Sequence, residues 1–381
     1  MLKLPPLYPI TDARLECSLS EQIRRLGEAG FPLVQFRGKP LDAKEQWIQL
    51  RKALSESALN GGWPLICVND RADLALLAAR EGLAPWGLHL GQGDIPPAEA
   101  QALPGLAGLH FGTSTHEDTE WLGVDPACDH AGIGPFRATS TKGDHARPIG
   151  LEGLRAGCAV LRSRGLAPVA IGGLDLEDAQ PCYEAGAESL AMVGEVGRSQ
   201  EPRELLWRAQ IARWQARLPI RRGCGLILVG GSGCGKTALA EALGRRMRMS
   251  AADLDVEAER LAGKAIARIF AEAGEPAFRD LEDRALSKLL SVPCVISLGG
   301  GAWECEGVRK QIRSAEFQVL WINENPLVAW NRVAQDPHRP LAGDRAAFLD
   351  RWRRRMPRWE EAPMILPLGR SPEILAETLV P

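Results

Sequence analysis

The chain has no run of about 18 apolar residues that could span a bilayer, and its opening "MLKLPPLYPITD" lacks the apolar core of a secretion signal. A cytoplasmic protein is therefore expected. The nine cysteines include no CxxC pair or other recurrent zinc-ligand spacing, so neither a disulfide framework nor a zinc site is indicated. Small buried hydrophobes are their expected role. An excess of charge of one sign is missing too: 46 lysines and arginines against 48 aspartates and glutamates leave a net −2, with no global attraction to nucleic acid. What is present, 45% hydrophobic and 25% charged residues, is the composition of an ordinary globular protein. At 381 residues the chain is long for one compact core, and two domains, 1–218 and 219–381, are expected.

Short apolar segments recur through the first two hundred residues: "LYPIT" from 7, "LVQFR" from 33, "PLICV" from 64, "GLHL" from 87, "LHFGTS" from 109, "AGIG" from 131, "PVAIG" from 168 and "LAMV" from 190. Between them lie stretches such as "SEQIRRLGEAG" and "DAKEQWIQLRKALSES", with apolar residues at helical steps. Eight strands alternating with helices predict an α/β fold, a (β/α)8 TIM barrel at the small end of its size range. The last helix, "EPRELLWRAQIARWQARL", is expected to bury a stripe of Trp207, Ile211, Trp214 and Leu218.

Chemistry in such a fold sits where strands end. The second strand ends in Gln35, Arg37 and Lys39, the third in Asn69 and Asp70, the fourth in Asp94 and the fifth in Ser114. The sixth leads into "ATSTK", residues 138–142, and the last two end in Gly172, Gly173 and Gly194. Asp70 and Asp94 offer hard oxygen ligands to Mg²⁺, which commonly bridges carboxylates to substrate phosphates. Arg37, Lys39 and Lys142 suit a phosphate leaving group, Gln35, Asn69 and Ser114 could orient it, and the terminal glycines let backbone amides approach a second phosphate. His89 and His116 are assigned structural roles. Each of these residues also has an ordinary reading as a turn former or a solvated rim charge; their convergence is what argues for a site.

"YPITD", "VQFRGK", "VNDRADLAL", "GLHLGQGD", "GTSTH", "GIGP" with "TSTK", "GLEGL" and "AIGG" together resemble thiamine-phosphate synthase over residues 7–197. The resemblance implies condensation of hydroxymethylpyrimidine diphosphate with thiazole phosphate, releasing pyrophosphate. Gln35, Phe36, Arg37, Gly38, Lys39, Asn69, Ser114 and Lys142 would then hold the pyrimidine diphosphate, with Lys142, Ser114 and Arg37 assisting its departure. Asp70 and Asp94 would ligate Mg²⁺. Thr139, Ser140, Thr141, Gly172, Gly173, Val193 and Gly194 would hold the thiazole phosphate. Gly38, His130 and Gly194 depart from the acidic residue, Tyr and Ser usual in that family.

Beyond residue 219, "CGLILVG" suits a buried parallel strand and runs into GxxxxGK[ST], read as Gly230, Gly235, Lys236 and Thr237, then into the helical "ALAEALGRRM". Strand, glycine loop and helix occur in the order that a nucleotide-binding P-loop requires. Its amides would cradle ATP phosphates, Lys236 would reach the β- and γ-phosphates, and Thr237 would bind Mg²⁺. Asp253 and Asp255 fall near the end of the next strand, whose alternation is expected to send one carboxylate towards metal and the other towards the acceptor. Arg279 in "FRDLE", Gly299, Gly300 and Gly301 in "LGGGA", Arg339 in "HRP" and Arg355 in "RWRRRMPRW" complete the candidates. Paired arginines and an aspartate suit a small acceptor carrying a carboxylate and hydroxyls.

The ordered set resembles shikimate kinase over roughly residues 224–370, and the resemblance implies an α/β/α P-loop kinase domain with a parallel sheet. That implies ATP on Gly233, Cys234, Gly235, Lys236, Thr237 and Ala238, with Arg339 from a lid, and Asp253 supporting Thr237 at the metal. Shikimate would lie on Asp255, Arg279, the triglycine and Arg355, with Lys236 and Asp255 in catalysis. Gly231, Ser232, Arg354 and Trp359 depart from the bulkier loop residues, Glu and Tyr usual there. A bifunctional enzyme with small-molecule substrates, Mg²⁺ in both domains and ATP as co-substrate is the leading expectation. The alternatives are a barrel serving as a binding or oligomerisation module or as a thiazole tautomerase, and a P-loop domain that phosphorylates another hydroxy acid or acts as a nucleotide-responsive regulator. Oligomeric state is left open.

Overall fold

The computed structural model describes residues 2–138, 147–218, 220–221, 223–336 and 343–380, in two compact units divided after Leu218. In the first, strands β1 (Leu7–Pro9), β2 (Leu33–Phe36), β3 (Leu65–Asn69), β4 (Gly87–Leu90), β5 (His110–Thr115), β6 (His130–Ile133), β7 (Ala167–Ile171) and β8 (Ser189–Met192) form one sheet in the order β1-β8-β7-β6-β5-β4-β3-β2. Every pairing in it is parallel. The two edge strands meet through a bridge between Ile10 and Gln35 and a bond from Thr11 N to Gln35 O at 3.0 Å, so the sheet is nearly closed and barrel-like.

Helices alternate with these strands, and side-chain caps explain two starts: Ser18 accepts from Glu21 N and Asp42 from Glu45 N. Successive strand residues face opposite ways. Tyr8, Cys67, Val169 and Ala191 belong to one buried cluster. The helix Pro202–Arg217 departs from the expected stripe: Trp207 and Trp214 are buried, whereas Ile211 and Leu218 are only half-buried. Arg213 takes part of the buried face instead, because Nη1 donates to Leu4 O at 2.6 Å and Glu188 O at 3.2 Å, satisfying a guanidinium that would otherwise be costly to bury.

The second unit carries five parallel strands, β9 (Gly225–Val229), β10 (Ala251–Asp253), β11 (Val295–Ser297), β12 (Phe317–Ile322) and β13 (Met364–Ile365), ordered β10-β11-β9-β12-β13. All five residues of β9 are buried, as a central parallel strand covered on both faces requires. The chain leaves β9 towards one side and returns to its other side with β12, so the carboxyl end of β9 is a topological switch point, where open α/β sheets bind ligands. The glycine loop begins there. Among the described residues, no helix is long and apolar enough to cross a membrane. All nine cysteines are unpaired thiols.

Candidate active sites

In the first unit, Lys39, Asp70 and Asp94 come together beyond the ends of β2, β3 and β4. Lys39 Nζ lies 2.6 Å from Asp70 Oδ2, and Asp94 Oδ2 accepts from Gly91 N at 2.7 Å. Asp70 adopts φ 61°, in the left-handed region uncommon for a residue with a side chain, and its N–H donates to His89 O at 2.8 Å. Burial raises the Asp70 carboxyl, but its contact with Lys39 outweighs this and holds it below the ordinary value. Asp94 is pushed up, first by burial and then by the charge of Asp70. Two crowded carboxylates that ionise unequally would be relieved by a divalent cation. Among the described residues no group of three or more His, Cys, Asp and Glu forms a closed metal cage. An all-oxygen pair of carboxylates nevertheless fits Mg²⁺, which completes its shell with water and substrate phosphate.

Ser114 is not isolated at its strand end: its Oγ lies 2.9 Å from His89 Nε2, and its carbonyl accepts from Gln92 Nε2 at 2.8 Å. Sequence reasoning gave His89 only a structural role, yet the fold places it against a candidate site residue. His116 does pair locally, with Glu120 at 3.1 Å. Arg37 is anchored through its backbone, its N–H donating to Thr11 Oγ1 at 2.9 Å. Asn69 ends β3, half-buried. Gln35 is buried with Nε2 donating to the Tyr8 hydroxyl at 3.3 Å, and Phe36, one residue on, turns its buried side chain to the opposite face.

Gly38 has a clear reason to lack a side chain: a Cβ there would lie 2.5 Å from Gln46 Cγ, and Gln46 Oε1 in turn accepts from Arg71 at 3.3 Å. Gly172 and Gly173 adopt φ 93° and 69°, and Cβ atoms on them would fall 2.7 Å from Pro135 Cα and 2.9 Å from Arg137 Cβ. The turn after β7 is thus built for close backbone approach. Val193 and Gly194 open the short helix Gly194–Arg198. A Cβ on Gly194 would lie 2.9 Å from Arg198 Nη1, so a guanidinium folds across this end, a feature sequence reasoning missed. Lys142, Thr139, Ser140 and Thr141 lie outside the described residues.

In the second unit the phosphate loop runs from β9 into the helix Lys236–Met247, with Gly233 and Gly235 at φ 83° and 94°. Lys236 is buried and donates to Gly230 O at 2.9 Å and Gly231 O at 2.8 Å. Cys234, also buried, lies 3.7 Å from the same Nζ and fills space beside Gly230. Ala238 is exposed on the first helical turn. Thr237 Oγ1 donates to Asp253 Oδ2 at 2.8 Å, the hydroxyl–carboxylate pair that can hold Mg²⁺ beside bound phosphates. Ser297, unrecognised in the sequence, ends β11 with its Oγ 3.4 Å from that of Thr237.

The expected strand alternation of Asp253 and Asp255 is wrong. Residues two apart on a strand share a face. What separates the two carboxylates is a change of structure: β10 stops at Asp253, which caps the helix Leu254–Ala262 by accepting from Asp255 N at 3.0 Å. Asp255 therefore stands on a first helical turn, over the triglycine, where a Cβ on Gly299 would lie 2.4 Å from its Oδ1. Arg355 Nη1 lies 3.4 Å from the Cβ position of Gly300, whereas Arg355 Nη2 and Arg279 Nη2 lie 3.1 and 3.5 Å from that of Gly301. Side chains on these glycines would fill the cradle.

Glutamates unnoticed in the sequence aim both arginines. Arg279 follows a kink at Gly274 and binds Glu282 at 2.7 Å and Glu275 at 2.9 Å; Arg355 Nε lies 2.5 Å from Glu304. Burial lowers the Arg279 pKa, but Glu282 and Glu275 reverse the balance and leave it raised. Arg355 is lowered, by burial first and also by the neighbouring charges of Arg351 and Arg279, despite Glu304. Guanidinium groups crowded in this way favour an anionic ligand. Arg339 lies outside the described residues.

Fold and sites define the class: an α/β transferase of two units, each presenting its polar groups at the carboxyl ends of parallel strands. The family model described as thiamine monophosphate synthase matches residues 7–196, and that of shikimate kinase matches residues 232–377. A thiamine-phosphate synthase of Chloroflexus aurantiacus is 38% identical over 193 residues, 50% of this chain and 84% of its own length. A shikimate kinase of Ruegeria pomeroyi is 39% identical over 141 residues, 36% of this chain and 72% of its own, and one of Cereibacter sphaeroides is 44% identical over 117 residues, 30% and 58%. The chain belongs to the thiamine-phosphate synthase family through its first unit and to the shikimate kinase family through its second.

Proposed function

We propose that one polypeptide catalyses two reactions: condensation of hydroxymethylpyrimidine diphosphate with thiazole phosphate, and phosphorylation of shikimate by ATP. The first unit is read as a complete (β/α)8 barrel. In it, Lys39, Arg37 and Lys142 neutralise the departing pyrophosphate, Ser114, positioned by His89, orients it, and Asp70 and Asp94 hold Mg²⁺ against it. The bond from the pyrimidine methylene to diphosphate oxygen breaks, the oxygen keeps the electron pair, and the thiazole nitrogen supplies the pair for the new C–N bond. The amides of Gly172, Gly173, Val193 and Gly194, with Thr139 to Thr141, retain the thiazole phosphate. No side-chain nucleophile is required.

In the second unit, Gly233 to Ala238 bind the ATP phosphates, with Lys236 as their cation and Arg339 closing over them. Thr237 and Asp253 hold Mg²⁺, which neutralises phosphate charge when bound. Arg279 and Arg355 engage the shikimate carboxylate. Asp255 accepts from the reacting hydroxyl and orients it in line with the γ-phosphate; alignment and charge neutralisation supply most of the rate.

One observation carries the kinase reading: Arg355 Nη1 and the phosphate-loop amide Ser232 N lie 3.4 and 3.8 Å from the same point above Gly300, so acceptor cradle and phosphate loop meet there. A regulator without an acceptor would have no use for that junction. The test is to incubate the purified chain with Mg²⁺ and ATP, with and without shikimate, and separately with both thiamine precursors. ADP formation that depends on shikimate and pyrophosphate release that depends on both precursors are expected. Failure of either refutes the corresponding half.

A further inference from the structure

The helix Arg345–Trp359 sends side chains to both halves of the kinase site. Arg355 reaches the triglycine cradle. Trp352, one turn earlier, lies against the phosphate loop: a Cβ built on Gly231 would fall 2.0 Å from Cζ3 and 2.3 Å from Cε3 of its indole. Only glycine fits beneath that ring. The indole is itself confined, 4% exposed, with the Phe348 ring at 5.8 Å and the Trp359 ring edge-on at 5.3 Å. On the loop side, the carbonyl of Gly231 is one of the two that accept from Lys236 Nζ.

We propose that Trp352 is a positioning residue for phosphoryl transfer: it sets the spacing between the phosphate loop and the acceptor cradle by fixing Gly231 against the helix that carries Arg355. The proposal rests on the kinase reading above. A glycine paired with an oversized aromatic neighbour transfers the packing role from loop to helix. No loop side chain can then change rotamer at this contact, and the loop sits where the helix places it. Two rigid attachments on one helix, an indole on Gly231 and a guanidinium over Gly300 and Gly301, hold donor and acceptor in register. In-line transfer is sensitive to that register, because a displacement of about 1 Å can cost on the order of a hundredfold in rate.

The test uses the full-length chain with Gly231→Ala, Trp352→Leu and the two combined, with circular dichroism to confirm folding. The added methyl in Gly231→Ala lies inside the indole's contact radius, so loop or ring must move. Its expected effect is a loss of kcat of about tenfold or more, together with Mg·ADP affinity weakened by about fivefold or more in calorimetry. Trp352→Leu opens room for the methyl, so the double variant recovers kcat and ADP affinity to within about threefold of Trp352→Leu alone. Rescue of this kind separates positioning from a merely structural contact. Wild-type kinetics and ADP affinity in Gly231→Ala, or a double variant no better than Gly231→Ala, would overturn the proposal. A wild-type chain that binds Mg·ADP but phosphorylates no shikimate would sink the kinase reading alone, and the ADP-affinity comparison would still decide the role of Trp352.

Discussion

Replacing Arg355 by lysine keeps a positive charge and removes the planar fork. Arg355 presents Nη1 and Nη2 over Gly300 and Gly301 while Nε stays on Glu304, so one side chain is positioned by a glutamate and offers two parallel donors to a carboxylate. Lysine can supply one of those bonds. The loss is one charge-assisted hydrogen bond, about 2 kcal/mol, or roughly thirtyfold in kcat/KM for shikimate. The glutamate left behind adds little, because the Glu304 side chain is 46% exposed and rehydrates. Trp352 remains in place on the same helix, so KM for ATP is expected to stay within about threefold of wild type. Initial rates measured by coupled ADP detection, with each substrate varied in turn, separate the two effects. A fall in kcat/KM for shikimate of less than about fivefold would refute the bidentate reading, as would an equal rise in KM for ATP.

Asp94→Asn removes one of the two carboxylates beside Lys39, and the Mg²⁺ concentration for half-maximal condensation should rise by about tenfold or more, read from pyrophosphate release in a metal titration. An unchanged titration would remove Asp94 from the metal site. Gly299→Ala puts a methyl 2.4 Å from the Asp255 carboxylate, and kcat for phosphorylation should fall by about tenfold or more while calorimetric ADP affinity is retained. His130, fully buried with neither ring nitrogen hydrogen-bonded, is driven by burial to a pKa of about 3 from the ordinary 6.5. Between those values the unfolded chain binds the extra proton, so stability is full above pH 6.5 and is lost as pH falls, by at most about 1.4 kcal/mol per pH unit. Urea denaturation from pH 7 to 4.5 should show a shallower loss for His130→Phe than for wild type; equal slopes would contradict this account of His130.

Much of both folds is visible in the sequence for a physical reason. Parallel strands buried on both faces read as short continuous apolar runs, such as "GLILV" at β9 and "LICV" within β3, and helices between them break that rhythm. Strand-end residues such as Asp70 and Asp94 were legible because the fold itself sends strand ends to one mouth. Contacts that depend on what lies opposite were not. His89 becomes a partner of Ser114 only when β4 pairs with β5, in a register that sets Leu88 opposite Phe111. Glu304 and Glu282, which aim Arg355 and Arg279, look like any exposed helical glutamates in one dimension, although Glu282 is buried. The separation of Asp253 and Asp255 was expected from strand alternation, which would have put both on one face; it comes instead from the strand ending at Asp253 and a helix beginning at Leu254. Nor does any local pattern connect Gly231 with Trp352, 121 positions along the chain, where a missing side chain in one element matches an excess in another.

Two activities on one chain, each with its own lysine, is the central claim, and crossed inactivation tests it most directly. Lys236→Ala and Lys142→Ala variants should each be assayed for shikimate-dependent ADP formation and for condensation of the two thiamine precursors. The account predicts that Lys236→Ala abolishes phosphorylation and spares condensation, whereas Lys142→Ala does the reverse. Loss of both activities from either substitution in a folded chain, or survival of either activity without its own lysine, would contradict it.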